Sequence, residues 1–322
     1  MDWVKLKAAL LARGNVRVSG KPLEGYIAHS TAGPGAGGVG SVFFSQGGKR
    51  VRLSLSQESP VEIVHHGQGR AVLLMDRMAI EGRLEGVALH CPRQAYVTIS
   101  ERCIYRCRYC NVPRLQGRVK SVEELADRIR EVQDRIDGIA ITSGVAEEVS
   151  QEETLTLALI REVQPLCLPI GVSIYPGLET PEHLHNLGVA EVKFNIETAT
   201  DRLFQVMCPG LDRNLMWKVL DRSVTLFGEN HVFSNVIVGL GENDAEMESC
   251  MTELCDRGVI PVLRPLLPTA ECSSFPRPGA ERLLCLCSME EKILLHSNLD
   301  TRKAQTMCVA CTGCDLVPGR DA

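Results

Sequence analysis

Ala95-Tyr-Val-Thr-Ile-Ser-Glu-Arg-Cys103-Ile-Tyr-Arg-Cys107-Arg-Tyr-Cys110 is the stretch that decides the reading of this chain. Ala95 to Ile99 has the content of a strand, and its end delivers a loop bearing three cysteines. With three and two residues between them, those thiolates can hold three corners of a cubane iron–sulfur cluster. The fourth iron is left without a protein ligand. An open iron can bind and reduce a small molecule, so the loop points to chemistry beyond electron storage. A four-thiolate zinc site needs another nearby ligand, and none lies between Cys110 and Cys167.

Downstream, strands and helices alternate. Ser121 and Glu124 form a capping box for a helix with Val122, Leu125, Ile129, Val132 and Ile136 on one face. A strand over 138–142 follows, then a helix capped by Ser150 with Glu153 and lined by Leu155, Leu159 and Val163. Strands are expected over 170–175, 191–196, 232–238 and 259–263. Between them lie a short helix opened by Thr180-Pro181 and stopped by Gly188, a helix over 212–227, and one over 243–257 closed by Gly258. Six such units imply a parallel sheet curled into a barrel or part-barrel, with active-site loops following the strands.

Residues 1–92 read as a small β-rich unit. It has a turn-rich stretch over 31–40, alternating runs over 41–45, 51–56, 61–65 and 71–75, and a hairpin turn at Gly67-Gln-Gly69. His65 and His66 are adjacent on a strand, so one faces inward and one outward. Residues 93–270 form the α/β partial barrel, and 271–322 a cysteine-rich C-terminal extension. In that extension Cys308, Cys311 and Cys314 have cluster-ligand spacing. Cys285 and Cys287, with Cys272 as an alternate, are the candidates to complete an auxiliary site for iron, an iron–sulfur cluster or zinc. Cys91, Cys167, Cys250 and Cys255 read as buried small apolar residues, and Cys208 as lying near the mouth.

Composition narrows the partners. The net charge is −5 with no basic stripe, and 4% of residues are aromatic, which disfavours nucleic acid. No apolar run is long enough to span a membrane, and the N-terminal pattern reads as an amphipathic helix and not a signal peptide. A cytoplasmic setting is expected, in which fourteen cysteines point to metal ligation and not to disulfides.

The cysteine spacing, with Tyr109 directly before the last thiolate, resembles the signature of the radical S-adenosylmethionine (radical SAM) superfamily. The resemblance covers roughly residues 95–270 and implies a partial (β/α)6 barrel. It implies a 4Fe-4S cluster on Cys103, Cys107 and Cys110, SAM chelated at the open iron, and a 5′-deoxyadenosyl radical that abstracts hydrogen from substrate. It places Tyr109 and Thr142-Ser143-Gly144 at the cofactor, the latter in the position of the family's Gly-Gly-Glu motif. That motif's acid is missing here, although Glu147 and Glu148 follow. It likewise implies Asn195 and Glu197 at the ribose or methionine, and Ile237 and Gly239 at the adenine, with Glu242 ordering the turn. Arg264 is positioned to aim a guanidinium into the mouth and grip a carboxylate. No catalytic acid or base is assigned.

Within the superfamily the barrel is similar to the biotin-synthase-like branch. The tail and His90-Cys-Pro-Arg-Gln-Ala-Tyr resemble small archaeal members, including the cobalamin-dependent enzyme that methylates a glutamine carbon of methyl-coenzyme M reductase. This finer resemblance implies a C-methyltransferase making a post-translational modification. It further implies cobalamin, a protein or peptide substrate, and an electron donor such as ferredoxin. Two departures stand against it: no Asp-x-His-x-x-Gly string, and no spare stretch of about 120 residues for a cobalamin domain. Sulfur insertion or rearrangement of a small metabolite, and a non-enzymatic iron–sulfur carrier, are the alternatives.

Overall fold

The computed structural model describes residues 2–321. Helix α1 (Trp3–Arg13) precedes β1 (Asn15–Gly20), β2 (Ser41–Gln46), β3 (Lys49–Leu55), β4 (Glu62–Gly67), β5 (Arg70–Met75) and β6 (Met78–Leu84). These six strands close a barrel in the order β1-β3-β2-β6-β5-β4. Alternation builds it: Val42, Phe44, Val51, Leu53, Ile63 and Leu73 point to one dry core. β4 and β5 are the two arms of a hairpin turning at 67–69. His65 is buried and His66 exposed.

The second sheet comprises β7 (His90–Cys91), β8 (Gln94–Thr98), β9 (Gly138–Thr142), β10 (Ile170–Ser173), β11 (Glu191–Lys193), β12 (Val232–Val238) and β13 (Ile260–Pro265). Its order is β13-β12-β11-β10-β9-β8-β7. β8 to β13 are parallel, and β7 adds an antiparallel edge. The sheet is curled but not closed, which is the expected partial barrel. The helices of this unit are α2 (Val122–Arg130), α3 (Val149–Val163), α4 (Thr180–Asn186), α5 (Asp201–Met207), α6 (Arg213–Phe227) and α7 (Asp244–Asp256). They cover its outer face through Leu125, Ile129, Leu159, Val163, Leu220 and Met251.

Two helix starts differ from expectation. α3 begins one residue before Ser150, because Glu152 turns back to accept from the Ala146 N–H (2.9 Å) and the Ser143 hydroxyl (2.6 Å). Ser150 therefore sits inside the first turn. α5 had no sequence expectation, although Thr200 caps it by accepting from the Leu203 N–H. Ser121 caps α2 as expected, and α7 starts in an Asn243/Glu246 capping box.

After β13 the chain forms α8 (Ala280–His296), packed on α1 and α7, and the short α9 (Met307–Cys311). This extension is tied across the strand starts of the half-barrel. Glu191 at the head of β11 accepts from the N–H groups of Gln305 and Thr306 and from the Thr306 hydroxyl. Gln94 at the head of β8 exchanges two hydrogen bonds with the Met307 backbone. A side chain at Gly171 would collide with Thr306, so β10 needs glycine where the tail crosses it. Further on, Asp321 receives Lys7 Nζ at 2.6 Å and Trp3 Nε1 at 3.2 Å, with Lys7 fully buried. Among the described residues no helix is long and apolar enough to cross a membrane.

The Lys7–Asp321 pair yields a stability prediction. Asp321→Ala leaves a buried ammonium unpaired and should cost about 3–5 kcal/mol, read from urea midpoints. Combining Lys7→Met with Asp321→Leu should recover at least half of that loss.

Candidate active site

The cysteine loop leaves the end of β8 and is moored on three sides. Lys120 Nζ donates to the Thr98 carbonyl (3.1 Å) and the Glu101 carboxylate (2.6 Å). The Ser100 N–H donates to the Ser143 hydroxyl, Gly144 N–H to Ser100 O, and Ile104 N–H to Val145 O. Arg108 N–H donates to Met207 O in α5. Gly144 is obligatory here, since a Cβ would overlap the Arg102 carbonyl. Thr142 instead donates its hydroxyl to Ser173 O.

Cys107 and Tyr109 are buried, while Cys103 and Cys110 keep some exposure. Cys107 belongs to, and Cys110 packs against, an apolar cluster that includes Phe204, Met207, Ile237, Leu240 and Leu266. Burial raises the thiol pKa of Cys103 and pushes that of Cys110 up to about 12. Without a cation or metal these thiols stay protonated. Soft thiol donors in an apolar, water-poor loop fit an iron–sulfur cluster, whose charge would draw off their protons. Among the described residues no three candidate ligands are gathered at coordination geometry, so the thiols have to turn toward one point on binding.

The interior next to this loop is polar. Glu197, four residues past the end of β11, is at φ +60, a left-handed backbone that is uncommon outside glycine. Its carboxyl is raised to about 7, first by burial, opposed by hydrogen bonds from Asn195 and Tyr109 and by the charges of Lys193 and Arg264. It is therefore no solvated loop acid. Tyr109 O–H also approaches Cys208 Sγ at 3.7 Å, and Cys208 in turn pairs with Cys107. Cys208 thus lies beneath the loop, which its place before Pro209 hinted at. Gly239 is at φ +110, with its N–H on the Glu242 carboxylate; Glu242 also holds the Leu240 N–H and orders the turn. Ile237 is buried in the same cluster as Tyr109.

Several expected placements are corrected. Glu147 and Glu148 are exposed, and the acid that meets Ser143 is Glu152, already satisfied by the loop. Arg264 does not reach the mouth: its guanidinium goes to Cys308 Sγ (2.7 Å) and toward Asp315 (3.5 Å) inside the sheet's curl. Cys285 is exposed on α8, and Cys287 packs into the N-terminal core with Leu284, because one helix face serves that core. Cys272 is buried near the mouth cluster and not with the tail. Cys167 is exposed, at φ +54 after a short turn of helix. Cys91 is buried as expected, but against Cys311.

Residues 97–254 match the radical SAM superfamily. Membership of that superfamily is supported. The chain is 26% identical over 171 residues to lipoyl synthase of Buchnera aphidicola subsp. Schizaphis graminum, covering 51% of this chain and 53% of that protein. It is 29% identical over 171 residues to the ribosomal protein uS12 methylthiotransferase RimO of Syntrophus aciditrophicus, covering 48% of this chain and 38% of that one. The chain spans about half the length, or less, of these curated relatives. Among solved structures it is similar to a radical SAM methyltransferase from Sphaerobacter thermophilus, at TM-score 0.53 and 18% identity over 77% of this chain and 76% of that one. The likeness to the solved structure shows the fold alone; it is the family match over residues 97–254 that implies a 4Fe-4S cluster and SAM.

Two outcomes are expected. Gly144→Ala should displace the cysteine loop, cutting both reconstituted iron and 5′-deoxyadenosine formation by at least tenfold while the fold, followed by circular dichroism, persists. Glu197 holds its proton to about pH 7 in the folded protein but releases it near 4.5 when unfolded. The unfolded state then binds fewer protons between those values, so stability falls as pH rises through that window. Thermal melts should show this fall in the wild type and a smaller one in Glu197→Gln.

Proposed function

We propose that this chain is a radical SAM enzyme that abstracts hydrogen from a carbon of a protein or peptide segment, the carbon radical then taking a methyl group from methylcobalamin, which would be left as cob(II)alamin. The observation that carries the substrate class is the rim of the mouth. Seven large apolar side chains are exposed among the described residues, and five of them, Ile104, Leu115, Val119, Leu178 and Val206, lie in the segments that follow β8, β10 and β11. Ile104 belongs to the cysteine loop, and Leu115 packs on Gly37 of the turn-rich stretch that carries Val39. Leu178 and Val206 follow β10 and β11 on the same side. Exposed apolar side chains in the segments after the strands would suit a chain segment laid across that end of the half-barrel.

Cys103, Cys107 and Cys110 would hold the cluster, which supplies the electron that cleaves SAM. Tyr109, Ser143, Gly144, Ile237 and Gly239 would bound the SAM site and keep water out of it. Asn195 and the protonated Glu197 would donate or accept hydrogen bonds to polar groups of SAM or substrate. A reducing, cytoplasmic setting and a ferredoxin-type electron donor suit such a centre.

Cobalamin is less well served. The described histidines lie elsewhere: His65 in the small barrel, His90 between Arg52 and the His29 carbonyl, and His183 on Glu153. None of these, nor His185 against Phe227 or His231 near Glu191, offers an imidazole to the mouth, so none of the five fits a corrinoid ligand, and methylcobalamin is tested as an added component.

The test is anaerobic turnover with reductant, SAM and peptides, beginning with the glutamine-containing segment of methyl-coenzyme M reductase, with and without methylcobalamin. Wild type should release 5′-deoxyadenosine and add the mass of one methylene to one residue. Alanine at Cys103, Cys107 or Cys110 should reduce nucleoside release at least a hundredfold. Intact SAM cleavage with no peptide gaining mass would sink the methylation reading.

A further inference from the structure

Four cysteines from two distant parts of the chain meet at the opposite end of the half-barrel from the Cys103 loop. Cys91 lies on the edge strand β7, before β8 starts. Cys308 and Cys311 lie on α9, and Cys314 follows it. Cys91 and Cys311 are buried in one cluster with Phe43 and Ala28, and the Cys91 thiol donates to Gln94 O at 3.9 Å. Cys308 Sγ receives Arg264 at 2.7 Å and Lys193 Nζ at 3.4 Å. Cys314 is within the field of Arg264, Arg52 and Cys311, and Cys91 within that of Cys308 and Arg52.

The backbone here is built, not loose. Arg52 N–H donates to Gly313 O, and Lys7 Nζ donates to Thr312 O. A Cβ at Gly313 would lie 2.6 Å from the Phe43 ring, so the turn between Cys311 and Cys314 requires glycine to sit against β2. His90 is occupied: Arg52 can only donate to its Nε2, which leaves Nδ1–H to donate to the His29 carbonyl. It is not a ligand. What remains is a set of four soft donors, one of which, Cys308, has two cations directed at its sulfur.

We propose that Cys91, Cys308, Cys311 and Cys314 are the ligands of a second iron–sulfur cluster, at the floor of the half-barrel. Thiolate ligation of such a cluster gives a net negative centre. Arg264, Lys193 and Arg52 provide compensating charge and N–H···S contacts. The Cys-x-x-Cys-x-x-Cys run supplies three corners, and Cys91 supplies the fourth from the N-terminal side. No three of these thiols stand at coordination geometry as the chain is folded, so ligation turns them inward.

The experiment uses the full chain with Cys103, Cys107 and Cys110 all changed to alanine, reconstituted anaerobically with ferrous iron and sulfide. This variant should still bind iron and sulfide in near-equal amounts and give a cluster Mössbauer spectrum. Adding Cys91→Ser or Cys314→Ser should abolish at least half of that iron, while Cys285→Ser with Cys287→Ser should leave it unchanged. Circular dichroism checks that each variant is folded, and Cys314, the less buried of the two, guards against loss through misfolding. Absence of iron from the triple variant, zinc in its place, a Cys91–Cys311 disulfide without metal, or indifference to Cys91 and Cys314 overturns the proposal. Because the mouth ligands are absent throughout, the result is independent of whether the chain cleaves SAM.

Discussion

The Glu191 carboxylate closes the half-barrel. A curled parallel sheet that does not meet itself leaves strand starts and interior side chains open to water, and something must cover them. Glu191 is fully buried, and burial raises its pKa. It is kept there by two backbone N–H groups and the Thr306 hydroxyl. Those three donors fix the tail's path, bring Met307 under Gln94, and seat α9 where Cys308 meets Lys193. The floor, the interior polarity and the second thiol set all follow from that one satisfied carboxyl.

The same tail joins the two halves of the molecule. Asp321 engages Lys7 and Trp3 of α1, and Lys49 Nζ reaches the Asp321 carbonyl. α8 shares its faces between the N-terminal core through Leu283 and the α/β core through Leu286. The N-terminal barrel is thus not an appendage to the catalytic unit: its β2–β3 edge, with Phe43 and Arg52, forms one wall of the thiol-lined floor.

Local signals were legible in the sequence and long-range ones were not. The strand–helix alternation from Ala95 to Arg264 carried enough periodicity to give the partial barrel, and the capping residues Ser121, Asp212 and Asn243 marked helix starts. Ser150 misled because Glu152 answers to the neighbouring loop, a tertiary demand that overrides local capping chemistry. Glu197 reads as an ordinary loop acid until its backbone conformation turns it inward. The tail failed differently. Cys285 and Cys287 are near Cys308 in the chain, but an exposed helix face and a core took them. Cys91 lies 217 residues before Cys308 and reaches it only through β7 and the tail crossing. Spacing could identify a ligand run but not its distant partner.

Between mouth and floor runs a column of charged groups. Glu197 stands at the top, in the field of Lys193 and Arg264; both cations also reach Cys308 below. Asp315 partners Arg264 from the side, with one of its oxygens left without a hydrogen bond. Two cations in a buried interior need anionic partners, and Asp315 supplies one of them. Adding charge at either end also changes the work of ionising Glu197 midway. Lys193 and Arg264 thus link the two ends of the half-barrel, since both reach Cys308 and both lie in the field of Glu197 beneath the Cys103 loop.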